Sequence, residues 1–298
     1  MRTPPRLQKG DLIALASPAR SITPQEIEVV KKIIEDSGFI CRIDQEVYAV
    51  ENQYAGNDSL RAGHFQRLIN DTAVKAILCS RGGYGSLRIV DMIDFSAFRR
   101  RPKWIVGYSD ITVLHAQLQY MGFESLHATM PVNFSSNTAK SIQSMFDSLQ
   151  GKREAIEISP HPFNRQGLAE GLLMGGNLSM LYSLVGSQSF PKTKANILFI
   201  EDLDEYLYHI DRMMLSLKRT GMLAGLAALI VGGMTGMNDN NVPFGKKAEE
   251  IIQEHVADYD FPLCFGLPAG HIDDNLALVM GRRHELQVSA SGAVLKPL

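Results

Sequence analysis

The chain has 298 residues, of which 45% are hydrophobic and 21% charged, with a formal net charge of −2. That balance supplies a core for one large domain or two ordinary ones and excludes a disordered chain. It offers no basic footprint for nucleic acid and no run of like charges for an interaction tail.

Early basic residues precede LIALA (residues 12–16), but this apolar run is short and follows Asp11 directly. A secretory signal needs roughly 7–15 apolar residues, so the segment reads as a first buried strand. Thr23-Pro24-Gln25-Glu26 then opens a helix, with Thr23 as cap, Pro24 in the first turn and Glu26 three residues after the cap. Gly38 stops it. Residues 39–43 predict a strand. Residues 58–70 predict a helix capped by Asp58, and 74–80 a strand. Residues 86–93 predict a helix, 103–109 a strand and 111–121 a helix. Strands alternating with helices imply a parallel sheet covered on both faces.

Residues 135–166 are polar and carry Pro160 and Pro162, so the expected division is a first domain over 1–150, a linker over 151–166 and a second domain over 167–298. In the second half, 196–201 and 228–234 predict apolar strands flanking a helix over 206–220. A helix over 246–256, short strands near 261–266 and 276–280, and a closing hairpin follow. The longest apolar stretch outside the opening strand, 223–234, is broken by glycines and falls short of the ~20 residues that span a bilayer. The three cysteines, Cys41, Cys79 and Cys264, lie far apart among apolar residues and read as buried free thiols in a reducing compartment, the cytoplasm.

Ligands of open α/β sheets collect outside the carboxyl ends of the strands, so the residues there carry the search for chemistry. After strand 74–80 comes Arg81-Gly82-Gly83-Tyr84-Gly85, whose glycines allow a tight turn with exposed amides. Such amides can hold an anion or a developing oxyanion, and the same residues also make an ordinary turn. After the 103–109 strand, Ser109 stands where a strand turns into a helix, the setting of a nucleophile elbow, although Ile111 replaces the second glycine of the GxSxG pattern. The residues leave Ser109 open between nucleophile and helix N-cap. A serine nucleophile needs a base and the base an orienting acid. Of eight histidines, His271 alone sits in a loop after a strand and a Pro-Ala-Gly turn; His64, His255 and His284 read as surface residues, and His115 and His127 follow Ser109 closely. Glu201, at the end of an apolar strand, is the acid candidate, since a carboxylate there is costly unless paired. Its neighbours Asp202, Asp204 and Glu205, with His271, Asp273 and Asp274, also admit a hard-cation site.

The segments SRGGYGS (80–86), GYSDIT (107–112), GGNLSML (175–181), LFIEDLDEYLYHIDRM (198–213) and GLPAGH (266–271) together resemble the LD-carboxypeptidases, the S66 serine peptidases. The resemblance runs nearly end to end, from GDLIALASPA (10–19) through YAGNDSLRAGHFQRLINDTAVKAI (54–77). It implies an N-terminal parallel-sheet domain resembling class I glutamine amidotransferases and a C-terminal swivelling β/α domain. It implies a Ser109, Glu201, His271 triad, with the serine on the first domain and the other two on the second. It also implies an oxyanion hole from the Asp110 amide and a glycine-turn amide, placed at Gly83 with Gly82 as the alternative. The activity implied is removal of the terminal D-alanine from cytoplasmic murein tetrapeptides by a homodimer, with no metal or other cofactor and neither nucleic acid nor membrane as partner. Arg81, Tyr84 and Arg212 are candidates for binding the peptide. Two departures lie outside the triad: His127-Ala128-Thr129-Met130 stands where the family has His-Gly-Pro-Met, and residues 233–244 lack an acidic Phe-Thr-Asp run. The alternatives are a microcin-immunity type hydrolase of acylated aminoacyl nucleotides, which needs an aromatic platform, and a non-catalytic muropeptide-binding module.

Overall fold

The computed structural model describes residues 1–298. The chain folds into two units, Met1–Lys152 with Asp273–Val279, and Arg153–Ile272 with Met280–Leu298.

The first unit alternates β1 (Leu12–Ala16), α1 (Pro24–Asp36), β2 (Ile40–Arg42), α2 (Asp58–Asn70), β3 (Val74–Cys79), α3 (Ser86–Ile89) and α4 (Ser96–Arg100). It continues through β4 (Trp104–Gly107), α5 (Thr112–Tyr120), β5 (Ser125–His127) and α6 (Ala139–Leu149). Strands β1 to β5 run in the order β5-β4-β3-β1-β2, every neighbouring pair parallel, so all five point their carboxyl ends to one edge. Ile13, Leu15, Leu78, Trp104 and Val106 build the core beneath α1 and α6. The predicted capping box of α1 is present: Thr23 Oγ1 accepts from Glu26 N, and Glu26 accepts from Thr23 N. The cap of α2 is Asn57, which accepts from Leu60 N at 2.9 Å, and not Asp58. Asp58 instead pairs with Arg61 and Arg88, which a capping carboxylate could not do as well.

The second unit holds β6 (Ile156–Ile158), β7 (Gly167–Asn177), α7 (Leu178–Ser183), β8 (Ile197–Leu203), α8 (Leu207–Arg219), β9 (Ala228–Thr235), α9 (Ala248–His255) and β10 (Leu263–Phe265). The chain then supplies β11 (Leu278–Met280) to the first sheet beside β5, and ends on β12 (Arg283–Ser289) and β13 (Gly292–Pro297). The second sheet has the order β10-β9-β8-β7-β12-β13-β6. Its β7 to β10 half is parallel; β12, β13 and β6 are antiparallel, the last three including the predicted hairpin. Strand β7 changes partner midway, pairing Gly167 to Leu172 with β12 and Leu173 to Asn177 with β8.

Two features depart from the expected division. The stretch 151–166 is more than a linker, because β6 within it pairs with β13 at Ile158 and Ala293. And 273–279 belongs to the first unit, where Thr138 N donates to Asp273 O, Ser141 Oγ donates to the same carbonyl and Ala277 N donates to Ser144 Oγ. The cysteines are free, but Cys41 is half-buried while Cys79 and Cys264 are buried. No helix is long and apolar enough to cross a membrane.

Candidate active site

In the first unit, β4 delivers Ser109. Gly107 permits the strand to run close to its neighbours, since a Cβ there would lie 2.9 Å from Ile111 and 3.2 Å from Cys79. Tyr108 follows in extended backbone, and Ser109 takes a φ of +62°, opening a single 3-10 turn that leads into α5. A left-handed conformation costs an L-residue roughly 1–2 kcal/mol. A helix N-cap has extended φ and ψ, and neither the 3-10 turn nor α5 receives a side-chain cap. Ser109 is therefore no cap. It is a residue held in strained backbone on a strand-to-helix turn, which is the geometry of a nucleophile elbow.

The glycine-rich loop lies against this turn. A Cβ on Gly82 would stand 3.1 Å from Ser109 Cβ and 3.3 Å from both Ser109 Oγ and Asp110 N, so only glycine leaves that space open. Gly83, at φ +101°, packs on the Arg20 side chain instead. Two buried charges brace the loop. The Asp110 carboxylate, 1% exposed, accepts from Ser86 N at 2.8 Å and so ties the start of α3 to the serine turn. Burial pushes this carboxyl up, and donors on Ser86 and Gly85 oppose that shift. Arg61 donates from Nη1 to the carbonyls of Gly85 (3.0 Å) and Pro18 (2.5 Å) and from Nε to that of Gly56 (3.2 Å).

His115 and His127 are both buried beside the serine strand. His115 Nε2 meets the Gly107 carbonyl at 2.8 Å, and its Nδ1 meets Ser125 Oγ at 2.8 Å. A carbonyl only accepts, so Nε2 carries the proton and Nδ1 accepts from the hydroxyl. Burial lowers this histidine to about 4. Neutral and with both nitrogens engaged, it braces the turn and is no base for Ser109.

In the second unit, β8 and the loop after β10 bring Glu201 and His271 together. Glu201 is fully buried, and its Oε2 lies 2.6 Å from His271 Nδ1 and 3.2 Å from His271 N. Gly270 makes the approach possible: its φ is +103°, and a Cβ there would lie 2.7 Å from Glu201 Cβ and Oε2. Burial alone would lower the His271 pKa. The Glu201 charge, the hydrogen bond to it and the more distant charge of Asp202 outweigh that and raise it. Since the carboxylate accepts the hydrogen bond of Nδ1–H, the neutral ring keeps its proton on Nδ1 and Nε2 is its basic nitrogen.

Asp202 belongs to a second set of contacts behind this pair. It accepts from Asn177 Nδ2 at 2.8 Å, Ser179 N at 2.8 Å and Leu203 N at 2.9 Å, while Asn177 Oδ1 caps α7. Burial first and the Glu201 charge second push the Asp202 carboxyl up to about 7, against the Leu203 and Asn177 donors. The sequence showed Asp202 only as one of several acids; its pairing with the asparagine of GGNLS depends on β7 and β8 lying side by side.

The remaining candidates are scattered. Arg81 Nη1 donates to Ser21 O at 3.4 Å, Tyr84 is 40% exposed and stacks obliquely on Tyr54, and Arg212 lies over the Tyr208 ring at 5.1 Å. Of the residues weighed for a cation, Asp274 accepts from Thr138 Oγ1 and neighbours Lys140 in the first unit. A separate cluster, Asp44, Glu46 and His64, has its carboxylates engaged by Arg42 and Arg67. His64 and His284, expected at the surface, are 3% and 4% exposed and bonded to Asp44 and to the Arg282 carbonyl. Their polar sequence neighbours gave no sign of these partners.

Two α/β units, one carrying a strained serine beside a glycine loop and the other a buried glutamate on a histidine, define the class: a two-unit α/β protein with parallel strands in each unit. The model of the LD-carboxypeptidase N-terminal domain matches residues 11–128, and that of the C-terminal domain matches 170–286. A Bacillus subtilis protein named as a probable murein peptide carboxypeptidase is 31% identical over 98% of this chain and 94% of its own length. The chain belongs to the LD-carboxypeptidase family. The crystal structure of muramoyltetrapeptide carboxypeptidase from Oxalobacter formigenes superposes with a TM-score of 0.87 at 25% identity, covering 96% of this chain and 98% of that one. The microcin C7 self immunity protein MccF, solved with glutamyl sulfamoyl guanosine, shares the fold with a TM-score of 0.88 at 20% identity, covering 99% and 98%.

Proposed function

We propose that the protein is a serine LD-carboxypeptidase that removes the terminal D-alanine from murein tetrapeptides. The observation that carries the reading is the buried Glu201 carboxylate on His271 Nδ1 at 2.6 Å, the contact by which an orienting acid holds a histidine base. The names of the Bacillus and Oxalobacter relatives supply the substrate class.

In this mechanism Ser109 Oγ attacks the carbonyl carbon of the bond joining the diamino acid to D-alanine, and His271 Nε2 takes the serine proton. Glu201 stabilises the imidazolium. The Asp110 amide and an amide of the glycine turn, Gly83 or the abutting Gly82, bind the oxyanion; each such donor contributes on the order of 3 kcal/mol. His271 then protonates the leaving amine. Water, deprotonated by His271, attacks the acyl-enzyme carbon; the bond from that carbon to Ser109 Oγ breaks, and His271 returns the proton to Ser109. Arg81, Tyr84 and Arg212 are the cationic and aromatic groups proposed to meet the peptide and its carboxylate. A homodimer working in the cytoplasm, where free thiols persist, completes the reading.

The nucleotide-hydrolase alternative needs an exposed aromatic platform; the only tryptophan, Trp104, is 1% exposed with its Nε1 donating to Pro5 O, which leaves that role to tyrosines such as Tyr84, Tyr206 and Tyr208. The test offers purified protein a murein tetrapeptide, a glutamyl sulfamoyl nucleotide and buffer, with products read by mass spectrometry. Loss of one alanine from the peptide alone supports the proposal. Cleavage of the nucleotide alone contradicts it, and binding of peptide without any cleavage replaces it with the binding module.

A further inference from the structure

The amino ends of β1, β3 and β4, the edge of the first sheet remote from Ser109, enclose a cavity of about 660 Å³. That is within the size range of small-molecule sites. Its lining draws cations from three separate stretches of chain: Arg6, Lys75, and the run that carries Arg100, Arg101 and Lys103. In a chain whose net charge is −2, such a gathering is a local inversion of charge. Of the two carboxylates on the wall, Asp71 is already paired with Arg42 at 2.6 Å and accepts from Ala73 N at 2.8 Å, while Asp11, which accepts from Gln8 N at 2.7 Å, offsets one of the five cations.

Lys103 is the built part of this wall. It is 4% exposed, and its Nζ donates to the carbonyls of Leu68 at 2.8 Å and Asp71 at 2.5 Å. An ammonium has three donors, so one is left over from these two bonds. Burial, with the charge of Lys75 adding, lowers Lys103 to about 8, while Asp71 opposes the shift. Lys75 and Lys103 thus repel one another on the wall that also carries Arg6, Arg100 and Arg101, and an anion placed between the two lysines would relieve that repulsion.

We propose that this cavity is a binding site for a small polyanion of the phosphate class, with the guanidiniums of Arg6, Arg100 and Arg101 gripping its oxygens and Lys75 and Lys103 supplying charge. Guanidinium forks match phosphate oxygens two at a time, which suits a compact multivalent ligand of the diphosphate type. The site is separate from the serine and glutamate–histidine groups, so its test does not depend on the proposed peptidase activity.

Inorganic pyrophosphate is titrated into the whole protein by calorimetry at near-physiological salt, alongside the double variant Arg100→Glu, Arg101→Glu. Both arginines are exposed, so the variant keeps the fold; circular dichroism and melting temperature check this. The expected result is saturable one-to-one binding that weakens at least about tenfold in the variant. No saturable binding to millimolar pyrophosphate overturns the site, as does equal affinity in the variant. Tighter binding of a short RNA through the same arginines also overturns it, in favour of a nucleic-acid contact.

Discussion

One oxygen of Glu201 serves both the ring and the main chain of His271, lying 2.6 Å from Nδ1 and 3.2 Å from the backbone nitrogen. The carboxylate therefore sets the position and the protonation of the histidine together. Replacing it with an amide keeps the size and removes the charge.

Glu201→Gln is expected to lower kcat by roughly a thousandfold or more while changing KM little, as loss of the orienting acid does in other triads. A base must be neutral to act, and the His271 pKa is raised above its ordinary 6.5. The acidic limb of the wild-type pH–rate profile should then have its midpoint above that value, and in Glu201→Gln it should fall. A limb that stays in place in the variant would separate the histidine from Glu201.

Ser109 sits at φ +62°, where glycine is at ease and alanine is not. Ser109→Gly and Ser109→Ala should both be inactive, yet the glycine variant should be the more stable by about 0.5–1 kcal/mol in urea denaturation. Equal stabilities would mean that the turn carries no backbone strain.

Gly82 has no left-handed φ, so alanine is tolerated by its backbone, but the added Cβ meets Ser109 Cβ at 3.1 Å and Asp110 N at 3.3 Å. Gly82→Ala is expected to reduce kcat roughly tenfold to a hundredfold with only a small change in melting temperature, since misplacement by a fraction of an ångström is enough. Full turnover in this variant would remove the glycine loop from the reacting centre.

These residues differ in how far the sequence disclosed them. Glu201 and His271 stood out because each follows an apolar strand, and the alternation of strand and helix in the first 120 residues was plain from pattern. Strand β7 was not, because glycines at 167, 171, 175 and 176 depress strand propensity. The structure shows why they are there: a Cβ on Gly175 would fall 2.0 Å from the Phe199 carbonyl oxygen, and one on Gly171 would fall 2.8 Å from Asn196 Cα. Helix α6 lay hidden in a polar stretch at the end of the first unit. What removed the cap reading of Ser109 is a dihedral angle, which no residue pattern carries.

Asp202 gives a prediction about stability. Its carboxyl titrates near 7 in the folded chain against an ordinary 3.8, so the folded state holds a proton that the unfolded state loses earlier. That contribution is present in full below pH ~4 and is lost as the pH rises through about 7. The stability of the wild type relative to Asp202→Asn should therefore fall across this window, by up to about 4 kcal/mol at the limit of 1.36 kcal/mol per pKa unit. Urea denaturation of both proteins at several pH values measures it, and a flat difference would show that Asp202 is ionised throughout.

The most direct measurement is D-alanine released from murein tetrapeptide by the wild type and by Ser109→Ala under identical conditions. The account predicts stoichiometric release by the wild type and none above background by the variant. Release that persists in Ser109→Ala would contradict the assignment of the nucleophile and return the search to the acidic cluster around Glu201.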